Sequence, residues 1–343
     1  MSSQLRFPAE WEPQSAVLLA WPHAGTDWAE RLVDVETTYV ALVAAIARFQ
    51  PALVCVPDAA HRARVAGLLS AAGVAAGQVR FFEVEYDDTW LRDSGPITLR
   101  DGKGFRLLDF HFTAWGGKFE AGLDDQLVAK LHGSGLLVPA HHQRIDFALE
   151  GGAIETDGAG TLLSTWRCLH ERHPALGRAE VTAMLESSLV QARTLWLDRG
   201  YLEGDDTDAH IDTLARFAAP DAIVFQACDD PADGHHEELQ AMAAEIATLR
   251  TAGGTPYRLF PLPWASPILD GDRRLAASYA NFLVINGAVL MPAYGDPADG
   301  AAAAVLATAF PGREIVPINC RPLIWQNGSL HCVTMQLPEG LLA

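Results

Sequence analysis

One pattern limits what this chain can fold into. A short apolar run, a turn, a second apolar run, a helical stretch and a third apolar run recur along its length in that order. The sharpest copy lies near the C-terminus, where SYANFLVI (278–285) and AVLMPAY (288–294) flank Asn286-Gly287, a dipeptide that favours a two-residue hairpin. AAAAVLATAF (301–310) then reads as a helix and EIVPIN (314–319) as a third strand. The same order is predicted over 150–157, 161–166, 178–189 and 194–198, and again over 210–217, 222–228, 235–250 and 257–263. A further copy starts with 96–100, 105–110 and a helix near 122–132. Towards the N-terminus AVLLAWP (16–22), a helix over 30–48 and ALVCVP (52–57) lack a first strand, whereas SLHCVTMQL (329–337) is a strand in need of a partner. Pairing the two makes five modules and joins the chain ends. The expectation is an α/β fold, a five-bladed pseudo-symmetric α/β propeller of strand-strand-helix-strand modules closed by the N- and C-terminal strands. A mixed α/β sheet in two domains is the competing arrangement. No Pro/Ser-rich linker divides the 343 residues, so a single domain over 1–343 is expected.

Composition and charge narrow the partners. A hydrophobic fraction of 49% against 20% charged residues excludes a disordered polymer and supplies an ample core. With 25 Lys+Arg and 43 Asp+Glu the formal net charge is −18, so a nucleic-acid footprint is absent and an anionic membrane surface is disfavoured. Such a charge steers small cations, although it serves solubility equally well. Five cysteines scattered singly argue for a reducing compartment. MSSQLRFPAEWEPQ has no signal-peptide pattern, and no apolar run approaches the ~18 residues of a membrane span, so a cytoplasmic protein is expected. A homodimer is left open, because no subunit contact is legible.

Polar residues at the module starts carry the chemistry: Asp93 in WLRDSGP, Glu150 in ALEGGAIE, His210 and Asp212 in DDTDAHIDTLARF, and Cys332 in NGSLHCVTMQLP. If these segments are strands, residues i and i+2 share a face, which aims His210 and Asp212 into one cavity and turns His331 away from Cys332. A thiolate, a proton carrier and carboxylates suited to a planar cation together fit nucleophilic attack on a guanidinium carbon. Duller readings stand beside this one. Asp93 next to Gly95-Pro96 serves equally as a turn cap, and Glu150-Gly151-Gly152 equally as a strand bend. Cys55, Cys168, Cys228 and Cys320 read as buried structural thiols.

At these residues the chain resembles the agmatine deiminase family, also called the bacterial-type peptidylarginine deiminase family. The similarity begins at FPAEWEPQSAVLLAWPH (7–23) and continues through DDTWLRDSGP (87–96), FTAWGGKF (112–119) and LEGGAIETDGAGTLLST (149–165). It runs on through DDTDAHIDTLARF (205–217), WASPILDGDRRLAASYANF (264–282) and LHCVTMQLP (330–338). The resemblance implies the propeller of the guanidine-modifying enzymes, with Cys332 as nucleophile, His210 as general acid/base and Glu150 as its orienting partner. Asp93 and Asp212 would hold the guanidinium nitrogens. The implied chemistry passes through a covalent thiouronium and needs no metal or organic cofactor. Two departures concern loops near the site: the family's glycine before the histidine is Ala209, and its glycine-rich run before the cysteine is Gln326-Asn327-Gly328-Ser329.

The expected partner is a small cationic guanidinium substrate. Agmatine ends in an ammonium that Asp87, Asp88 or Asp206 could receive, with Trp90 or Trp115 against its methylenes; free arginine would need a cation for its carboxylate. Solvated loop acids and core aromatics are the alternative reading of those residues. Other classes remain. A metal-dependent hydrolase could draw on Asp205, Asp206, Asp208, His210 and Asp212 with His235-His236-Glu237-Glu238, though the acidic run lacks calcium-loop spacing. A non-catalytic binding propeller would have no reason to place Cys, His and carboxylates at corresponding module starts.

Overall fold

In the computed structural model, which describes residues 5–102 and 104–343, the strands form five mixed sheets and one two-stranded ribbon. The first sheet joins the ends of the chain: Met335–Pro338 lies antiparallel to Gln14–Ala20, with Ala52–Val56 and Val79–Glu83 added in parallel. The second contains Leu5–Arg6, Ile97–Asp101, Gly104–His111 and His141–Ala148. The third contains Ile154–Thr156, Thr161–Thr165 and Arg193–Leu197, and the fourth Ala215–Ala219, Ala222–Gln226 and Arg258–Leu262. Leu283–Ile285, Ala288–Ala293 and Glu314–Asn319 make the fifth. In every sheet an antiparallel pair is followed by a parallel strand reached through a helix, as the sequence pattern requires. The helices Leu32–Ile46, Arg178–Leu189, His236–Thr248 and Asp299–Ala309 fall close to the expected segments.

The differences follow from exposure and from how strands begin. His141–Ala148 is mostly solvent-facing on the edge of its sheet, so HHQRIDFA shows little apolar alternation and escapes a sequence reading. Ala59–Ala71 buries only Val65 and Leu69 and is equally inconspicuous. Three expected strands start later than predicted. HIDTLARF becomes a strand only at Ala215, SLHCVTMQL only at Met335 and SYANFLVI only at Leu283. What precedes each is a turn, and the functional side chains sit on those turns. Residues 1–4 of the N-terminal segment lie outside the described residues. Among the described residues no helix is long and apolar enough to cross a membrane.

Apolar side chains bind neighbouring sheets together. Leu32–Ile46 turns Val35, Tyr39, Leu42, Val43 and Ile46 inward at helical spacing, and that core continues through Val17 and Val54 to Leu283, Val289 and Met291 of the fifth sheet. Each such buried side chain contributes about 1.5–3 kcal/mol. Asn286, in the hairpin turn, accepts a hydrogen bond from the Gln14 N–H at 3.0 Å and donates to the Gln14 carbonyl at 2.8 Å, fastening the fifth sheet to the first.

A buried ion network links all five sheets. Arg216, fully buried, donates to Glu155 at 2.7 Å, to Glu10 at 2.8 Å and to the Phe282 carbonyl at 2.7 Å. Glu10 also accepts from the Val284 N–H at 2.7 Å and lies 3.7 Å from Arg92, which donates to Gln336 at 2.8 Å. Replacing Arg216 by methionine would leave Glu10 and Glu155 buried without their shared cation. We expect Arg216→Met to lose about 3–5 kcal/mol of stability in urea unfolding, with Arg216→Lys retaining part of it. Equal stability of Arg216→Met and the parent would refute this account of the network.

Candidate active site

The residues singled out from the sequence enter the site on short helical turns that precede the strands. Asp93 lies on the turn Leu91–Ser94, Glu150 caps the 3-10 turn Gly151–Ala153, and His210 caps Ile211–Thr213, which carries Asp212. Cys332 sits in a turn before Met335. His210 and Asp212 therefore converge through a helical turn and not through strand alternation. The same change of geometry corrects the expectation for His331. It points to the same carboxylate as Cys332: its Nδ1 is 2.7 Å and the thiol 3.8 Å from Asp212 Oδ2.

Glu150 and Asp212 are each held on one oxygen and keep the other free, whereas Asp93 is held on both. Asp93 accepts the Gly152 N–H at 2.9 Å and the Trp115 indole N–H at 3.0 Å. Glu150 takes the Arg172 Nε at 2.7 Å on one oxygen, and its second oxygen lies 3.5 Å from His210 Nε2. His210 Nδ1 is 3.7 Å from Asp93. Among the described residues, Glu150 Oε2, Asp212 Oδ1 and both nitrogens of His210 are buried without a hydrogen-bond partner. Four unsatisfied polar atoms are costly in a core, and such groups persist where they serve chemistry.

Local backbone explains why this arrangement fits. A β-carbon on Gly152 would stand 2.6 Å from His210 Nδ1 and 2.7 Å from Asp93 Oδ1, so only glycine admits both groups. Ala114 and Trp115 occupy the left-handed region, with φ of 45° and 58°, a strained turn that brings the indole N–H onto Asp93. Ala209, where the resemblance put the turn in question, keeps a left-handed backbone with φ 71°, held by a 2.7 Å hydrogen bond from its N–H to Asp205.

Burial and charge set the protonation states. Burial, with Asp212 and Asp93 close by, pushes the Cys332 thiol well above its ordinary value, although the Asn281 side chain 3.3 Å away favours the thiolate. Burial also raises Asp93 to about 6, with Asp212 and Glu150 adding to the effect. Against the pull of burial, Asp93, Cys168 and Glu150 raise His210 well above the usual imidazole range, so it carries a proton at neutral pH. Against the same pull, His210 and Arg172 keep Glu150 ionised, and His331 does so for Asp212. The resting pair is thus a thiol and an imidazolium. A cation entering between Asp93 and Asp212 would lower the thiol pKa and drive ionisation.

Above the thiol lies a cavity of about 670 Å³. Trp90, Trp115 and Asp206 line it, as do Asp27, Asp87, Asp88, Asp93, Glu120 and Asp124, while no Lys or Arg does so among the described residues. Asp87 and Asp124 are committed to each other's loops, with Asp87 accepting the Leu123 N–H at 2.7 Å and Asp124 the Asp87 N–H at 2.8 Å. Asp206 accepts from Asn327 at 2.8 Å, and burial raises it and lifts Asp88 to about 7.

Several residues were missed by the sequence reading. Asn281 holds the position just before the first strand of the fifth module, so its place in the repeat was the available signal. Arg172 left none, since its partners Glu150 and Asp208 belong to other segments. Cys168, read from the sequence as a buried structural thiol, lies with Glu150 and His210 so that their ligand atoms are within 4.8 Å of one another. That spacing would suit a metal, but the Arg172 guanidinium already supplies the cation at Glu150. The acids of the alternative metal site are spread apart: Asp205 caps Thr207, Asp208 pairs with Arg172, and His235 binds Asp233.

Known proteins resemble the chain over nearly its whole length. Residues 6–338 match the model of the Porphyromonas-type peptidyl-arginine deiminases. The chain is 34% identical to the agmatine deiminase of Pseudomonas aeruginosa, across 97% of this chain and 95% of that protein. It superposes on a cysteine-to-serine variant of the C. jejuni agmatine deiminase with substrate bound, with a TM-score of 0.91 and 33% identity, covering 98% of this chain and 97% of that one. A Porphyromonas gingivalis structure described as a candidate arginine deiminase is 46% identical, with a TM-score of 0.92, covering 99% and 100% of the two chains.

Two outcomes are expected from this geometry. Gly152→Ala should slow alkylation of Cys332 by 2-chloroacetamidine by about 100-fold and cost about 1–3 kcal/mol of stability, and an unchanged rate would refute the steric argument. Because the thiol is raised, alkylation by neutral iodoacetamide should keep rising above pH 9, where an ordinary thiol levels off. A plateau near pH 8 would contradict the charge assignment.

Proposed function

The chain belongs to the Porphyromonas-type peptidyl-arginine deiminase family, and on that footing we propose that it is an agmatine deiminase, a hydrolase acting on a C–N bond of a linear amidine. It converts agmatine and water to N-carbamoylputrescine and ammonia, a step toward putrescine and the polyamines. The observation that carries this reading is a thiol flanked by Asp93 and Asp212 at a cavity lined by seven carboxylates and, among the described residues, by no Lys or Arg. The guanidinium sits between Asp93 and Asp212, where its charge lowers the pKa of Cys332 and the thiol proton passes to solvent. The thiolate attacks the guanidinium carbon, His210 protonates the departing nitrogen, and ammonia leaves a covalent S-alkylthiouronium. Water then gives its proton to His210 and attacks the same carbon; the carbon–sulfur bond breaks, the thiolate takes up the proton of the new hydroxyl, and the ureido product departs with thiol and imidazolium restored. Glu150, pinned by Arg172, orients His210 through both steps. Trp90 and Trp115 flank the methylenes, and Asp206 with Asp88 faces the ammonium. The five sheets with their repeated strand order support one five-bladed propeller domain over 1–343. Five free cysteines fit a cytoplasmic setting.

Deimination of arginine or peptidyl-arginine by the same chemistry is the second reading, favoured by the similarity to the P. gingivalis chain. The acidic lining weighs against a substrate carboxylate. Ammonia release from agmatine, arginine and a peptidyl-arginine, compared with Cys332→Ala, decides between them. We expect agmatine to lead arginine by about 100-fold or more and Cys332→Ala to lose at least about 10⁴-fold. Preference for arginine would move the substrate assignment, and no turnover of any of the three would overturn the deiminase reading.

A further inference from the structure

We propose that His331 is a positioning residue of this reaction, bridging Glu10 and Asp212 so that one oxygen of Asp212 is committed and the other is presented to the guanidinium. The inference deepens the deiminase reading and rests on it.

Both nitrogens of the buried His331 ring are occupied. Nδ1 is 2.7 Å from Asp212 Oδ2 and Nε2 is 2.8 Å from Glu10 Oε2. Asp212 Oδ1, also buried, has no partner among the described residues. The terminal torsion of an aspartate is broad and roughly two-fold, so a free Asp212 could offer either oxygen in many orientations. The hydrogen bond from His331 removes that freedom.

The bridge is itself clamped. Glu10 is held by Arg216 at 2.8 Å and by the Val284 N–H at 2.7 Å, with Arg92 at 3.7 Å. The backbone N–H of His331 donates to Asn281 Oδ1 at 2.9 Å, and the same amide side chain contacts the Cys332 sulfur. His331 therefore cannot turn without disturbing the segment that carries the nucleophile.

The charges around the ring oppose one another. Burial, with Arg216 and Arg92 nearby, holds the His331 imidazolium below its ordinary range, while Glu10 and Asp212 favour it. Asp212 itself stays ionised, 3.8 Å from the Cys332 thiol, and is able to bind a cation. Arg172 stands in the same relation to Glu150, taking one oxygen and leaving the other to His210.

The test compares Cys332 alkylation by 2-chloroacetamidine, a planar cation, with alkylation by neutral 2-chloroacetamide, alongside agmatine kinetics. His331→Ala should lower the cation-to-neutral rate ratio, and kcat/KM for agmatine, by about 10- to 100-fold, the value of one charge-assisted hydrogen bond. A purely structural role would slow both reagents alike and leave their ratio intact. Should His331→Ala fail to fold in urea titration, His331→Asn, polar but too short to span both carboxylates, carries the same expectation. A folded variant with the parental ratio overturns this inference alone. A parent enzyme with neither agmatine turnover nor preference for the amidine overturns the deiminase reading and this inference together.

Discussion

The Arg216 guanidinium is the point on which the five sheets depend. It satisfies Glu155 from the third sheet, Glu10 ahead of the first and the backbone of Phe282 entering the fifth, each at a distance that tolerates little displacement. Apolar contacts alone would hold neighbouring sheets together but would specify their relative positions poorly. Five donors in a fixed fork specify them closely, because every misplaced partner leaves a buried charge unsatisfied.

The candidate catalytic groups inherit this precision. Asp93, Glu150, His210, Asp212 and Cys332 lie on turns just ahead of strands, and the turn at 151–153 packs against both those at 91–94 and 211–213. A strand would spread alternate side chains over two faces, whereas a single helical turn gathers nearby residues on one. The result is a site in which each carboxylate is partly neutralised by Arg172, His331 or Trp115. Without those partners the concentration of negative charge around the thiol would suppress its ionisation.

Much of this was legible in the sequence where the signal is local. The repeated strand order, the hairpin at Asn286-Gly287 and the alanine-rich helix follow from nearest-neighbour chemistry. So does the placement of Asp93, Glu150, His210, Asp212 and Cys332 near module starts. What was not legible depends on contacts between modules. Arg172 and Glu10 act only through partners far along the chain, and Cys168 looks apolar until the fold sets it beside His210. The error over His331 has a definite source: alternation was applied to residues 329–334, which form a turn, while the strand starts at Met335. Edge strands such as His141–Ala148 were lost because solvent exposure erases the apolar rhythm.

The pairing of Met335–Pro338 with Gln14–Ala20 has a consequence for the order in which a ribosome delivers the parts. Glu10 is made 321 residues before His331, through which, with Asp212, it reaches Cys332. No nascent intermediate can therefore assemble the thiol with its carboxylates. The acidic cavity is left without its thiol until residue 332 has been made, so Cys332 meets carboxylates whose own segments were made long before it.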